Sequence, residues 1–582
     1  MNVALGYSLI YMLSVVALVG GILLYKKTET SLYAAIWIPL VIVLFTCFEA
    51  VLAALLNWVF LPANIVTIGL LNFIPAGFFW YQIVRTGQRQ KYLLEGIDVA
   101  IWLALLAFTA WFVHKRFGGL TLAINYATID PAAHFKAAMD VVNGQKIENM
   151  FHAALNNALI IETFAPFTTV DRYYRIFIMA DIGNYLLAGA MFYGAVRRFL
   201  TNRYAKCIGG ALSMVYVIGY PLSSLMFGFV YLGMGISIVA AIIVLTDSFV
   251  KEELQKWFHL ILLMLGCAGI FTCYMLFMPI TFFAVILCIF RKQWQRKRLI
   301  SADTVITCLV VFLLPCIIGL FYCYGGLFTK DVSLGSAINN EGACYRDLYS
   351  NFIAFLPLAL LGYYQTLKEK KNEVIVFLFP FAIVFLAGLF IKGMRLEASS
   401  YYFYKNYNLM WLLVFYLAIS ALPHLQSQTK LLLGCCLTVW AAVFVLYLGN
   451  VEEKIKNRSE LFCIVPKAGW FNDIFCYNFD TLAIGPRYSQ WKLDLYSYVY
   501  QELLQEQKTI AVPLVGGWED EIWYQDITNQ RDTAWRDWWD TGEYILVLTD
   551  EKSEDYWALQ EFFDALTIVY QNDAGYVAKL AH

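Results

Sequence analysis

This chain is short of charge, and it also lacks a CxxC motif, metal-ligand spacing and repeats. Only 15% of its 582 residues are Asp, Glu, Lys or Arg, and the net charge is −1, so no basic surface points to nucleic acid. It has no CxxC and no Cys/His spacing of the zinc-binding kind. Ten of the 13 cysteines lie within apolar runs, where the thiol acts as a small hydrophobe. No basic stretch precedes the first apolar run, "MNVALGYSLIYMLSVVALVGGILLYKK", and its positive charge comes after it. That order predicts an uncleaved first span with Met1 outside and Lys26 and Lys27 inside. No fixed-period repeat or low-complexity tract is present.

What replaces charge is apolar surface. The sequence is 60% hydrophobic and 17% aromatic, with a mean hydropathy of +0.61. Soluble domains are nearer about 45–50% apolar. The excess is gathered into runs of about 20 residues, the length that crosses a bilayer as a helix. We read about 14 spans, near 4–25, 32–56, 63–84, 98–114, 173–196, 206–222, 226–246, 257–275, 277–290, 303–324, 350–366, 373–391, 406–422 and 430–449. The pair at 257–290 could also be one bent hairpin.

Alternation from an outside start is checked by the basic residues. The inside loops "YKKTET", "RTGQRQK", "RRFLTNRYAK", "KEELQK", "RKQWQRKR", "KEKKNE" and "QSQTK" all carry Lys or Arg. The short outside turns "NWVFLPAN" and "GYPLSS" carry neither. Three longer segments then fall outside: 115–172, 325–349 and 450–582. In the last, apolar runs shorten to strand length in "TIAVPLV", "YILVLTD" and "ALTIVYQNDAGYVAKL". Helical stretches lie between them, which predicts a small C-terminal α/β domain. The division expected is therefore three N-terminal spans (1–97), a membrane module (98–449) and an outside domain (450–582). Cys463 and Cys476 of that domain could form a disulfide.

Most of the chemistry-bearing residues lie in the outside segments. In "YATIDPAAHFKAAMDVVNGQ" (126–145), Asp130 and Pro131 read as a helix start and Gly144 as its stop. Phe135, Ala138, Met139 and Val142 make one apolar stripe, as in a short helix lying on a membrane surface. Asp130 and His134, four apart, sit near each other at its edge. Asp130 could serve only as a cap. "NNEGACYRDLYSN" holds Glu341, Arg346 and Asp347, and "SSYYFYKNYN" holds Lys405 among aromatics. Glu49 and Asp181 lie inside spans, where a carboxyl is costly and suggests function by default.

The pattern "TIDPAAHF" at 128–135, in the first large outside loop of a polytopic chain with a soluble α/β region after its last span, resembles the GT-C superfamily of integral-membrane glycosyltransferases. The resemblance spans most of the chain in architecture and about a dozen residues in motif. It implies a sugar transferred, with inversion expected, from a polyprenyl-phosphate carrier to an outside acceptor: a cell-wall glycan, a teichoic-acid-type polymer, a lipid or a protein. Asp130 would be the general base. His134, Asp181, Glu341 and Asp347 would bind the acceptor or substrate. Arg346, Arg395 and Lys405, with Arg172 and Arg175 in reserve, would neutralise the donor phosphate. Many members carry a second acidic motif in the next outside loop, but here that turn is "GYPLSSLMFG". A two-carboxylate metal site is thereby in doubt. The expectation is no metal, or a divalent ion such as Mg or Mn completed by Glu341 or Asp347. The rival expectations are a lipid-linked-oligosaccharide flippase or other transporter using Glu49 and Asp181, and a polysaccharide polymerase or ligase.

Overall fold

The computed structural model describes residues 2–147, 151–323, 342, 344–346, 350–369, 373–449, 474–482, 488–514, 518–530, 542–549 and 560–580. Its helices, in chain order, are α1 (Asn2–Leu24), α2 (Ala34–Trp58), α3 (Ile65–Thr86), α4 (Gly96–Arg116), α5 (Asp130–Val142), α6 (Phe151–Phe164), α7 (Tyr173–Val196), α8 (Arg203–Ile218), α9 (Tyr220–Met226), α10 (Val230–Lys251), α11 (Lys256–Cys273), α12 (Met278–Gln295) and α13 (Ala302–Cys323). They continue as α14 (Ser350–Ile353), α15 (Leu356–Lys368), α16 (Ile375–Met394), α17 (Ser400–Lys405), α18 (Tyr407–Ala421) and α19 (Thr429–Leu448). The C-terminal region adds α20 (Ile474–Leu482), α21 (Gln490–Tyr498), α22 (Trp518–Thr528) and α23 (Gln560–Asp564).

Twelve helical segments among the described residues are long and apolar enough to cross a membrane. All fourteen expected positions are helical, but two differ in kind. The stretch at 350–366 breaks into α14 and α15, and the 13 residues of α15 cover only about 20 Å against a hydrocarbon core of about 30 Å. The last, α19, has a shorter apolar portion, Thr429–Val445. The pair at 257–290 is two helices joined at Tyr274. The span expected at 206–222 runs on to Met226, broken at Gly219. A Cβ there would lie 2.4 Å from the Trp411 ring, so the missing side chain is what admits that indole.

The helix ends define two faces. The site face gathers the C-terminus of α4, the N-termini of α7 and α10, and α9, α17 and α20. The far face is held by ion pairs drawn from the basic loops. Arg197 meets Asp98 at 2.5 Å and Glu95 at 2.9 Å, and Arg198 meets Asp247 at 2.5 Å and Glu373 at 3.1 Å. Asp98 is fully buried and also accepts from the Tyr193 hydroxyl at 2.7 Å and the Glu95 amide at 2.9 Å. Removing one partner of such a network strands the other charge. Asp98→Ala is therefore expected to cost about 3 kcal/mol of stability, read as a lowered melting temperature in detergent.

The C-terminal region forms a four-stranded mixed sheet from β3 (Ile510–Leu514), β4 (Tyr544–Leu548), β5 (Thr567–Asn572) and β6 (Gly575–Lys579); the far face also carries a two-residue pairing of β1 (Leu32–Tyr33) with β2 (Tyr92–Leu93). The order is β3-β4-β6-β5, parallel between β3 and β4 and antiparallel elsewhere. All the strand-length runs read from the sequence are strands here, the last forming a β5–β6 hairpin. This region sits on the site face. The Arg116 guanidinium donates to the Thr481 carbonyl at 2.6 Å, the Tyr488 amide to Ile124 at 3.2 Å, and Gln501 to the Asp171 carboxylate at 2.9 Å. The loop after α4 and the C-terminal region, both expected outside, are thus on one side and in contact. Cys463 lies outside the described residues, so the disulfide expectation does too.

Candidate functional site around Asp130

The segment leading to Asp130 is tethered at successive residues. The Asn125 amide donates to the Arg116 carbonyl at 2.8 Å, and the Tyr126 hydroxyl to Asp181 at 2.6 Å. The Ala127 amide donates to Met226 at 2.7 Å, and the Thr128 hydroxyl to Phe227 at 2.7 Å. The second Asp181 oxygen accepts from Asn157 at 3.1 Å. Asp181 is therefore spent in holding Tyr126, four residues ahead of Asp130, and supports the site from within the helices. Glu49 is likewise partnered, by Tyr11 at 2.8 Å and Asn72 at 3.3 Å.

Gly228 fixes the next step. It adopts φ +73°, and a Cβ would come within 2.2 Å of Pro131. Gly228→Ala is expected to destabilise by about 1–2 kcal/mol from the left-handed conformation alone. It should also displace the Asp130–Pro131 corner, so activity should fall further than the melting temperature indicates.

Two expectations for this segment are corrected. The N-cap position is Ile129, with no side-chain capping bond, and Asp130 is the first residue of α5. Its carboxylate is turned to other partners instead. The apolar stripe of α5 does not lie on lipid either. Phe135, Ala138 and Met139 are buried in protein, with Phe135 stacked on Trp523 of α22 at 5.2 Å and edge-on to Phe177 of α7. The periodicity shows that one face is covered, and protein covers it.

Asp130 is half-buried beside Lys405 and accepts a hydrogen bond from the Tyr401 hydroxyl. Burial pushes its carboxyl above the usual carboxylate range, while the Lys405 charge and the Tyr401 bond pull it partly back. Lys405 is only 4% exposed. Its ammonium donates to the Tyr231 hydroxyl and lies 3.7 Å from the Tyr401 ring and 4.2 Å from the Phe229 ring. This is a cation in an aromatic cage with one carboxylate as its counter-charge. His134 packs edge-on to Tyr231 at 5.6 Å, and its Nδ1 lies 2.8 Å from the Gly228 carbonyl. Burial lowers its pKa to about 4, so near neutrality it is uncharged and donates from Nδ1. Tyr231 stacks on Tyr274 at 5.7 Å.

Over this cluster lies a short piece of the second segment expected outside, 325–349. A Cβ on Gly342 would be 2.8 Å from the Tyr401 ring, and Arg346 donates to the Gly342 carbonyl at 2.9 Å. Tyr345 packs on Tyr477 of α20 at 4.9 Å. Of the residues singled out from sequence, Asp130, His134 and Lys405 are brought together, with Arg346 near and Asp181 supporting. Arg395 and Arg172 stand exposed, and Arg175 lies against Tyr174. Glu341 and Asp347 lie outside the described residues, and so does a metal completed by either. Among the described residues no group of three or more His, Cys, Asp or Glu side chains is arranged to hold a metal ion.

Sequence reasoning missed Tyr401, Tyr231 and Gly228. Only the aromatic density of 399–408 hinted at the first, and that reads equally as an interfacial belt. Within the helices, an apolar groove of about 700 Å³ runs against α6 and α7 and is closed by α2 and α4, with Thr46, Trp102, Asn156 and Asn184 in its lining. Comparison with protein-family models, curated proteins and solved structures finds no match for this chain.

Proposed function

We propose that the chain is a glycosyltransferase of the GT-C kind, moving a sugar from a polyprenyl-phosphate carrier to an extracytoplasmic acceptor, with the Asp130 face outside the cell membrane. One observation carries the reading: a half-buried carboxylate shares a site with a caged cation where apolar helices end. That is where a lipid phosphate and a water-side hydroxyl can meet. In this reading the Asp130 carboxylate takes the proton of the acceptor hydroxyl as its oxygen attacks the anomeric carbon. The bond from that carbon to the phosphate oxygen breaks, and polyprenyl phosphate leaves. Lys405 and its tyrosines neutralise the charge that develops on the leaving phosphate. The groove against α6 and α7 has room for part of an isoprenoid chain.

Polymerases and ligases that use a longer lipid-linked donor would need the same base and cation, so the acceptor and donor length are part of the proposal rather than separate from it. The transporter reading draws less support. Glu49 and Asp181, the acids it would use, are each engaged by two neighbouring side chains. The test is incubation of the purified chain with a panel of polyprenyl-phosphate sugars. Release of free polyprenyl phosphate with at least one donor is expected. A folded protein inert toward every donor, with and without acceptor glycans, speaks against the reading.

A further inference from the structure

The far-face ends of α10, α11, α12 and α13 enclose a polar pocket of about 300 Å³. It lies roughly 27 Å along α10 from Tyr231, at the other end of the helix from the Asp130 cluster. Its walls carry Lys256, Lys292 and Arg296 against only two carboxylates, Glu252 and Asp303. Lys256 pairs with Asp303, while Arg296 and Lys292 share Glu252. The balance is positive, and Lys292 is 7% exposed, with its ammonium 3.9 Å from the Phe249 ring. Helix α11 starts at the same place with Gln255 at its N-cap and no side-chain capping bond. The positive end of an 18-residue helix therefore adds to the field.

The pocket also asks for a donor. Gln293 is 2% exposed; its amide nitrogen donates to Asp303 at 3.2 Å, and its carbonyl oxygen has no hydrogen-bond partner. Buried acceptors are normally satisfied. An occupant that supplies both an anion and a hydroxyl answers both demands. Trp257 and Trp294, next in the chain to Lys256 and Gln293, are 57% and 70% exposed at these helix ends, as aromatic side chains are at headgroup depth.

We propose that this pocket binds a glycerophosphate group, with the phosphate among Lys256, Lys292, Arg296 and the start of α11, and a glycerol hydroxyl donating to Gln293. The group arrives either as the head of an anionic glycerophospholipid or as free glycerol phosphate. The site is independent of the sugar-transfer reading, and its test makes no use of activity.

The full chain is purified in detergent, and lipid retention is read by native mass spectrometry with phosphatidylglycerol or phosphatidylcholine added. Thermal shift is read with soluble glycerol phosphate. Preferential retention of phosphatidylglycerol, reduced about fivefold by Arg296→Gln, is expected for the lipid source. Gln293→Leu should narrow the preference for phosphatidylglycerol over phosphatidylcholine. A thermal shift with glycerol phosphate that Arg296→Gln removes supports the same site filled from solution. Arg296 is 44% exposed on its side chain, so its variant is expected to fold. Equal retention of the two lipids by the wild type, with no thermal shift from glycerol phosphate, overturns the proposal.

Discussion

Asp130→Asn should lower sugar transfer by about 10²–10⁴-fold, the share that a positioned general base contributes. The substitution keeps the size of the side chain and its ability to accept the Tyr401 hydroxyl, but removes the proton acceptor. Because Ile129 holds the N-cap position and no capping bond is lost, α5 should remain intact. The melting temperature should therefore move far less than the rate. Some change is expected, since Lys405 loses its counter-charge. Initial rates alongside thermal unfolding separate the two effects. Transfer within twofold of wild type would remove Asp130 from the chemistry and leave it a structural acid.

Lys405→Met should produce the second large effect, in two separable parts. The loss of the cation removes neutralisation of the leaving phosphate, for which about 10²–10³-fold is typical of one preorganised donor. The loss also acts on Asp130. Burial already holds that carboxyl above its usual range, and Lys405 is what pulls it back. Without Lys405 the folded-state pKa of Asp130 rises further. The base form is the deprotonated one, so activity grows as pH rises through that pKa. The acidic limb of the pH–rate profile should accordingly shift to higher pH in Lys405→Met, with residual activity recovering at alkaline pH. A profile that is scaled down but unshifted would mean that Lys405 does not set the ionisation of Asp130. Met is chosen to keep the aromatic cage of Tyr401, Phe229 and Tyr231 filled.

The span pattern was legible because a run of about 20 apolar residues has few alternatives to a helix, and the basic loops between runs then order the ends. The C-terminal strands were legible because their apolar runs are short and separated by polar helical stretches. The interior of the site was not. Asp130, Tyr231, Gly342 and Lys405 come from four distant parts of the chain, and only folding places them together. Periodicity identified the stripe on α5 but could not name Trp523 and Phe177 as its cover. The capping role assigned to Asp130 failed for a local reason: the helix begins one residue earlier than the Asp-Pro signal suggests, with Ile129 as its boundary. The far-face network is a similar case. Asp98 and Asp247 sit at the ends of apolar runs, and their arginines are adjacent residues, Arg197 and Arg198, that point to different partners.

The most direct test of the account is a reconstitution. The chain and its Asp130→Asn variant are placed in vesicles with a polyprenyl-phosphate sugar labelled in the sugar, and the fate of the label is followed. The account predicts that the wild type separates sugar from carrier, giving free polyprenyl phosphate and a labelled product, while Asp130→Asn leaves the donor whole. Intact labelled donor crossing the bilayer at the same rate in both proteins, with no cleavage in either, would contradict it.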